Sequence, residues 1–447
     1  MGHRFNWMKK LSPVLRTKDY CNPDEACRVM IEFSGNRTEK TVFNIISTWN
    51  GKINRKMSML PFLAAEIPLP AMKELAQVKK VKKIWLDTPV QAQLSTSILK
   101  VNDLIMRDSE YSGKNITIAV LDTGIYPHTD LIFPENRIVA WHDFVNQKPR
   151  PYDDNGHGTH IAGIIGGNGF SSRNKFRGMA PGAKLAGVKV LDKYGRGKMS
   201  DVISGIEWCI RNRRAQNIKI INLSVSLAAP DLCSLDPLSR ITAIAIKKGI
   251  VICAAACYDS IPAEAVSTPN SGIITIGNRD DARTRSILNS DMSDIRPAYD
   301  KNRAFQKYLK PDLLIPGTKI ISLKAGGGYL PLTGTSVATA LVSGIVAQLL
   351  EEQPHLKPSQ IKKILKKNTP RFNYEPISRS VETLQTDAIF CKHHPGYGNK
   401  KHTLSKKERT FFVLRGGFCA CAVNPYFLFL IFILLLLSFS PNQHARF

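Results

Sequence analysis

Residues 116–125 read Ile-Thr-Ile-Ala-Val-Leu-Asp-Thr-Gly-Ile and bring a carboxylate, Asp122, to the end of an apolar run. Continuous apolar and β-branched residues are typical of a strand that is buried on both faces of a parallel sheet. Ligands gather at the carboxyl ends of such strands, because the loops that bind them start there. The stretch therefore predicts a parallel α/β sheet with Asp122 at the edge where a site forms.

Two further stretches supply the partners that a carboxylate needs for acyl transfer. Residues 154–165, Asp-Asn-Gly-His-Gly-Thr-His-Ile-Ala-Gly-Ile-Ile, place His157 at the start of a small-residue helix. Residues 333–340, Thr-Gly-Thr-Ser-Val-Ala-Thr-Ala, place Ser336 at the start of an apolar helix, where amide dipoles favour developing negative charge. A hydroxyl nucleophile needs a base with a pKa near neutrality, and the base needs a carboxylate to orient it. Taken alone, a Gly-Thr-Ser run is more often a plain helix N-cap, and His160 is a competing base.

The three stretches and their order resemble the subtilisin-like serine proteases, in which Asp, His and Ser follow one another along the chain. Further matching blocks occupy residues 177–183, 188–191, 221–224 and 310–317, and the resemblance runs from residue 101 to residue 369. Residues 149–157 and 205–210 look most like the cytoplasmic AprX-type branch. The resemblance implies a three-layer αβα fold with a mostly parallel central sheet. It also implies a serine endopeptidase in which Ser336 attacks, His157 relays the proton and Asp122 orients His157, and it sets His160 aside.

The same resemblance predicts how a peptide or protein substrate binds. A substrate is expected to lie as an extended strand beside Ser224, Val225 and Ser226 on one side, and beside the turn that contains Tyr194 and Gly195 on the other. Backbone pairing of this kind gives broad recognition, and side-chain pockets set the preference.

Three positions depart from the family pattern. Tyr258 stands where the family has an oxyanion-hole asparagine, which leaves the Ser336 backbone amide as the remaining donor. Ser226 replaces a glycine of the substrate-binding strand, and Ala340 replaces the proline after the Ser-x-Ala-Thr run. These changes predict either an endopeptidase of reduced turnover or, as the alternative, a catalytically degenerate subtilase that binds peptides or proteins.

Composition shifts divide the chain into five segments. Residues 1–26 form a basic N-terminal segment without an apolar core, so no secretory signal is predicted. Residues 27–95 resemble the small α+β propeptide of subtilases, with an adaptor module as the alternative. Residues 96–369 form the predicted catalytic domain, and residues 370–417 a basic linker. Residues 418–439 lack charged side chains and just reach the length of a membrane span, which predicts a C-terminal tail anchor. The alternatives for this tail are a solvent-hidden docking segment and a degenerate extension with no membrane role.

Charge and cysteine content constrain partners and compartment. The chain has 447 residues and a formal charge of +26, which favours anionic partners such as acidic substrates or lipid headgroups. No nucleic-acid motif accompanies the charge, so specific nucleic-acid binding is not expected. Nine cysteines without disulfide-rich spacing fit a reducing cytoplasm. No metal ligands are predicted. Calcium is common in the family, but no carboxylate cluster here has decisive spacing, so calcium binding stays open as an alternative. A monomer is expected.

Overall fold

The structure is a computed structural model that describes residues 7–16, 25–92, 110–227, 236–256, 272–278 and 311–368. The predictions for Tyr258, the linker 370–417 and the tail 418–439 therefore lie outside the described residues.

The described residues 27–92, called the N-terminal module below, begin with a small α+β unit. Its elements are β1 (Cys27–Phe33), α1 (Asn36–Thr48), β2 (Lys52–Lys56), β3 (Phe62–Ile67), α2 (Leu69–Gln77), β4 (Val81–Leu86) and β5 (Pro89–Ala92). The first four strands form an antiparallel sheet in the order β2-β3-β1-β4. Strand β5 leaves this sheet and pairs elsewhere.

The described residues within 110–368, called the catalytic domain below, alternate strands and helices. Its elements are β6 (Thr117–Asp122), α3 (Thr129–Ile132), β7 (Ile138–Asp143), α4 (His157–Gly166), β8 (Lys184–Lys189), β9 (Arg196–Lys198), α5 (Met199–Asn212), β10 (Ile218–Leu223), β11 (Val225–Leu227), α6 (Asp236–Lys247), β12 (Val251–Ala255), β13 (Ile273–Asn278), β14 (Leu313–Ile315), β15 (Ile320–Leu323), β16 (Tyr329–Leu332), α7 (Thr335–Glu352) and α8 (Pro358–Asn368). Seven strands form the central sheet in the order β14-β13-β12-β10-β6-β8-β7, and every neighbouring pair is parallel.

Alternate residues of the central strand β6 serve opposite faces of the sheet, as the pleat requires. Ile118 and Val120 pack in one core with α4, α7 and α8. Ala119 and Leu121 pack in a second core with α5 and α6. The predicted three-layer α/β fold with a mostly parallel sheet is confirmed.

One face of the module packs on the second core of the catalytic domain. Met30, Phe62 and Trp85 join the cluster that contains α5 and α6. Polar contacts complete the contact surface: Glu207 of α5, only 2% exposed, accepts hydrogen bonds from the backbone amides of Ser58, Met59 and Leu60.

A carboxylate of the module, Asp87, binds the N-terminus of α5. Asp87 accepts hydrogen bonds from the amide and the hydroxyl of Ser200, at 2.9 and 2.8 Å. An acidic cap here satisfies a free helix amide and complements the helix dipole. Burial raises the pKa of Asp87, although Ser200 and the positive charges of Arg28 and Lys198 act against the rise.

Residues 7–16 add to the other face of the module. Leu11 and Leu15 are fully buried among α1, α2 and the sheet, and the amide of Ser12 donates to the Ile84 carbonyl at 2.8 Å. Residues 1–26 were predicted only as a basic segment, so the structure assigns part of that segment to the core of the module.

The helix that the sequence predicts to start at His157 begins at that residue and ends at Gly166. Residues 218–227 form two strands, β10 and β11, which are separated by Ser224, a residue without strand pairing.

Candidate active site

Asp122, His157 and Ser336 meet at the carboxyl edge of the central sheet. The Nδ1 atom of His157 lies 2.7 Å from Asp122 Oδ1, and its Nε2 atom lies 3.0 Å from Ser336 Oγ. All three side chains are buried, with at most 2% exposed. The first distance fits a proton on Nδ1 that is donated to the carboxylate, which leaves Nε2 free to accept the hydroxyl proton.

Local backbone features bring these side chains together. Asp122 ends β6, His157 begins α4, and Ser336 is the second residue of α7. Helix α4 approaches β6 closely because its second residue is Gly158: a Cβ there would lie 2.1 Å from the Gly124 carbonyl oxygen and 3.2 Å from the Asp122 Cβ. A residue with a side chain would therefore push His157 away from Asp122.

Asp153 joins the loop after Asp122 to the start of α4. Its carboxylate accepts hydrogen bonds from the hydroxyls of Thr123 and Thr159, at 2.9 and 2.6 Å. The carboxylate also accepts hydrogen bonds from the backbone amides of Asn155, Gly156 and Thr159. The sequence patterns did not identify this residue, although an acidic residue just ahead of a predicted helix is a recognisable N-terminal signal.

Lys189 also forms hydrogen bonds with the loop after β6 and with two neighbouring loops. The side chain is fully buried, and its ammonium donates to the carbonyl oxygens of Thr123 and Leu191 and to the carboxylate of Asp154, at 2.5 to 2.8 Å. A buried lysine is tolerated when every proton has an acceptor. This residue was also absent from the predicted site.

Strand β5 of the module lies where a substrate strand was predicted. It pairs antiparallel with β11 on one side and with β9 on the other, which makes a sheet in the order β11-β5-β9. Val225 pairs with Ala92 and Ser226 with Gln91, and the Ala92 amide donates to the Gly195 carbonyl oxygen at 2.8 Å.

The other predicted substrate residues differ in their surroundings. Tyr194 is 69% exposed in the turn before β9. Ser224 is fully buried, and its hydroxyl lies 3.5 Å from the Ser336 carbonyl oxygen. That hydroxyl also accepts from the Asn222 amide at 2.8 Å, and Asn222 in turn accepts from Ser343 of α7 at 2.9 Å. A buried chain of hydrogen bonds thus connects α7 to Ser224, the residue that precedes β11.

His160 has a structural environment rather than a catalytic one. Its Nε2 atom lies 3.1 Å from the Ile320 carbonyl oxygen and 3.0 Å from that of Leu330. Burial lowers the pKa of His160 to about 3, with a smaller contribution from the neighbouring His157. A neutral imidazole that donates to backbone carbonyls holds the β15–β16 hairpin against α4.

Among the described residues, no group of three or more His, Cys, Asp or Glu side chains is arranged to hold a metal ion. The same part of the chain contains no helix with the length and apolar character of a membrane span.

The chain is similar to known serine proteases. A model of the subtilase family matches residues 113–398. The chain is 36% identical to serine protease AprX of Bacillus subtilis (strain 168) over 348 residues, which cover 72% of this chain and 77% of that protein. It is 29% identical to subtilisin E of the same organism over 332 residues, which cover 71% and 78%.

A solved structure supports the fold alone. Fervidolysin from Fervidobacterium pennivorans, a keratinolytic enzyme related to subtilisin, matches with a TM-score of 0.55 at 18% identity. The match covers 85% of this chain and 62% of fervidolysin.

These matches define the class of protein. The chain belongs to the subtilase family, and it is a subtilisin-like serine peptidase. Both predictions made from the sequence, the family and the enzyme class, are confirmed.

Proposed function

We propose that the chain is an endopeptidase that cleaves peptide bonds through an acyl-enzyme on Ser336. The observation that carries this proposal is the pair of distances at His157, 2.7 Å to Asp122 Oδ1 and 3.0 Å to Ser336 Oγ. A base that is oriented by a carboxylate and lies in reach of a hydroxyl is the arrangement that nucleophilic acyl transfer needs.

The reaction has two halves, acylation and deacylation, and His157 acts first as a base and then as an acid in each of them. Ser336 Oγ attacks the substrate carbonyl while His157 Nε2 takes the hydroxyl proton, and the Ser336 backbone amide stabilises the oxyanion. His157 then gives the proton to the leaving amine, which departs and leaves an acyl-serine. Water enters, loses a proton to His157 and attacks the ester carbonyl. His157 then returns the proton to Ser336 Oγ as the ester bond breaks, which releases the acid product and restores the enzyme. Asp122 stabilises the imidazolium in both halves and stays ionised.

We propose that the N-terminal module is a propeptide that inhibits the enzyme before it is removed. Support comes from β5, which fills the cleft between β9 and β11 as a substrate would. Glu207 and Asp87 add charged hydrogen bonds between module and catalytic domain, and such bonds are stronger than neutral ones.

The strand register predicts which bond is cleaved during removal. Val225 pairs with Ala92, the last described residue of β5, and a substrate strand that kept this register would have its next residue opposite Ser224. The Ser224 hydroxyl lies 3.5 Å from the Ser336 carbonyl oxygen, beside the nucleophile. We therefore expect processing of the bond between Gln93 and Leu94.

Tyr258 stands where the family has an oxyanion-hole asparagine, and this replacement is the reason to expect reduced turnover. It is also the reason for the second candidate function, a subtilase that binds peptides without cleaving them. Loss of one oxyanion donor typically lowers kcat by about 100- to 1000-fold. The buried set of Asp122, His157 and Ser336 favours the enzyme, because a binding role does not require hydrogen bonds among all three.

Peptide hydrolysis by three proteins tests the proposal: the full chain, its Ser336→Ala variant and its Tyr258→Asn variant. We expect slow hydrolysis by the full chain, none by Ser336→Ala, and a rise of about 100-fold in kcat for Tyr258→Asn. Activity that survives Ser336→Ala would overturn the proposed nucleophile. Absence of hydrolysis in all three proteins would support the binding function instead.

We further propose that the enzyme is a monomer that works in the cytoplasm and that residues 418–439 anchor it to a membrane. The support is sequence alone: 22 residues without charge that follow a basic linker. Full-length protein should stay in the membrane pellet after an alkaline carbonate wash, whereas a chain that ends at residue 417 should be soluble. Full-length protein in the supernatant would contradict the anchor.

A further inference from the structure

The strand register brings a basic side chain of the catalytic domain opposite one position of β5. Gln91 pairs with Arg196, and Val90 pairs with Gly197. Directly opposed residues of an antiparallel pair have Cβ atoms about 4.5–5.5 Å apart and interact on the same face of the sheet. The Gln91 position is therefore next to the guanidinium-bearing residue of β9.

The two faces of β5 are used differently. Val90 is only 1% exposed and packs with Leu191, Met199 and Val202 in the core of the catalytic domain. Gln91 and Arg196 are both exposed, as alternation along a strand requires. Packing of the buried face holds the strand in the cleft. The exposed face is therefore the one on which side-chain charge can discriminate between substrates.

Nearby carboxylates have other partners. Asp192 lies in the same turn, but its Oδ1 atom accepts the backbone amides of Tyr194 and Arg196, at 2.8 and 2.9 Å. Asp154 is bound by the ammonium of Lys189 at 2.7 Å. On the opposite side of β5, strand β11 (Val225–Leu227) carries no charged residue. Arg196 is therefore the charged residue directly opposite position 91 on the neighbouring strand.

We propose that Arg196 is a specificity-determining residue that selects an acidic side chain at the substrate position occupied by Gln91. The inference rests on the proposed function, because it takes the path of β5 as the path of a substrate. Acidic peptides also suit the overall charge of +26. The module itself carries a neutral glutamine at this position. An acidic substrate should therefore interact more favourably with Arg196 than the module does.

Hydrogen exchange in the full chain tests this without relying on catalysis. In the Ser336→Ala background, the Ala92 amide reports on how firmly β5 occupies the cleft, since it donates to Gly195. We expect Gln91→Glu to slow its exchange by about two- to fivefold and Gln91→Lys to speed it by a similar factor, the range of an exposed charge pair. High salt should reduce both effects, because screening shortens the range of the interaction.

Charge reversal and a matched control identify the residue responsible. Adding Arg196→Glu should reverse the order, so that lysine at position 91 protects Ala92 better than glutamate. Lys184→Glu makes the same change in net charge at the exposed amino end of β8, away from the cleft, and should leave the order unchanged. Equal exchange with glutamate and lysine, or an order that Arg196→Glu does not reverse, would overturn the proposal.

Peptide hydrolysis by the active full chain separates this inference from the proposed function. Ten-residue peptides that copy residues 88–97, with Glu, Gln or Lys at the position of Gln91, should show kcat/KM about tenfold higher for Glu than for Lys. Similar kcat/KM for all peptides would overturn the charge preference and leave the endopeptidase intact. Absence of hydrolysis would refute the endopeptidase, while the exchange experiment would still decide whether Arg196 selects the charge.

Discussion

Asp153 offers a quantitative test of how the active site is held together. The substitution Asp153→Asn keeps the shape of the side chain but replaces one acceptor oxygen with a donor. In the structure, Oδ2 accepts the amide and the hydroxyl of Thr159, and Oδ1 accepts the Thr123 hydroxyl and two amides of the loop. In either orientation, the NH2 group of the new amide side chain faces backbone N–H or hydroxyl groups that donate to the carboxylate in the parent protein. Those groups then lose their acceptor.

The expected cost follows from the contacts that are lost. At least two hydrogen bonds to a charged group disappear, and each is worth about 1.5 kcal/mol or more, so the free energy of unfolding should fall by about 3 kcal/mol. Movement of the loop that carries Thr123 also moves Asp122 relative to His157. A displacement near 1 Å typically costs about 100-fold in rate, so kcat should fall by about that factor while KM changes little.

Denaturant unfolding and steady-state kinetics on the full chain measure the two effects. Glu135→Gln is the matched control, because it removes one negative charge from an exposed loop position and should change neither quantity. An Asp153→Asn variant with the stability and kcat of the parent protein would show that the loop and α4 are aligned by other contacts.

Two more perturbations have defined outcomes. Leu11→Ala should lower the free energy of unfolding by about 2–5 kcal/mol, because the side chain is fully buried, whereas Lys9→Ala at an exposed position should not; equal unfolding curves would contradict the packing of residues 7–16. His160 should make stability depend on pH, because burial lowers its pKa to about 3 in the folded state while the unfolded chain takes up a proton below about 6.5. The unfolded state then binds more protons, so stability should fall by about 2 kcal/mol between roughly pH 7 and pH 5, and His160→Gln should remove that part of the decline; an unchanged pH dependence would contradict the assignment.

The residues of the site could be predicted from the sequence because each lies in a local pattern that determines its own element. An apolar run ending at Asp122 predicts a buried strand, and glycines around His157 followed by small apolar residues predict a helix start. Parallel strands and their helices then meet at one edge of the sheet by topology. Local rules were sufficient for these elements.

Features that depend on distant partners could not be predicted in the same way. Strand β5 has four residues, and its pairing is decided by β9 and β11, which lie more than 100 residues further along the chain. Residues 7–16 are basic in composition, and only the packing of Leu11 and Leu15 against the module assigns them to its core. Asp153 is the intermediate case, since its position just ahead of a helix is visible in the sequence but its contact with Thr123 is not.

The most direct test of the central claim is the intact mass of the purified full chain beside its Ser336→Ala variant. A serine endopeptidase that carries its own inhibitor should cleave itself between Gln93 and Leu94, so the parent protein should yield two fragments of the corresponding masses and Ser336→Ala should remain whole. Slow cleavage is expected for the parent and faster cleavage for Tyr258→Asn. If all three proteins retain the mass of the uncut chain, or if Ser336→Ala is cut at the same bond, the claim that Ser336 is the nucleophile of a working peptidase is contradicted.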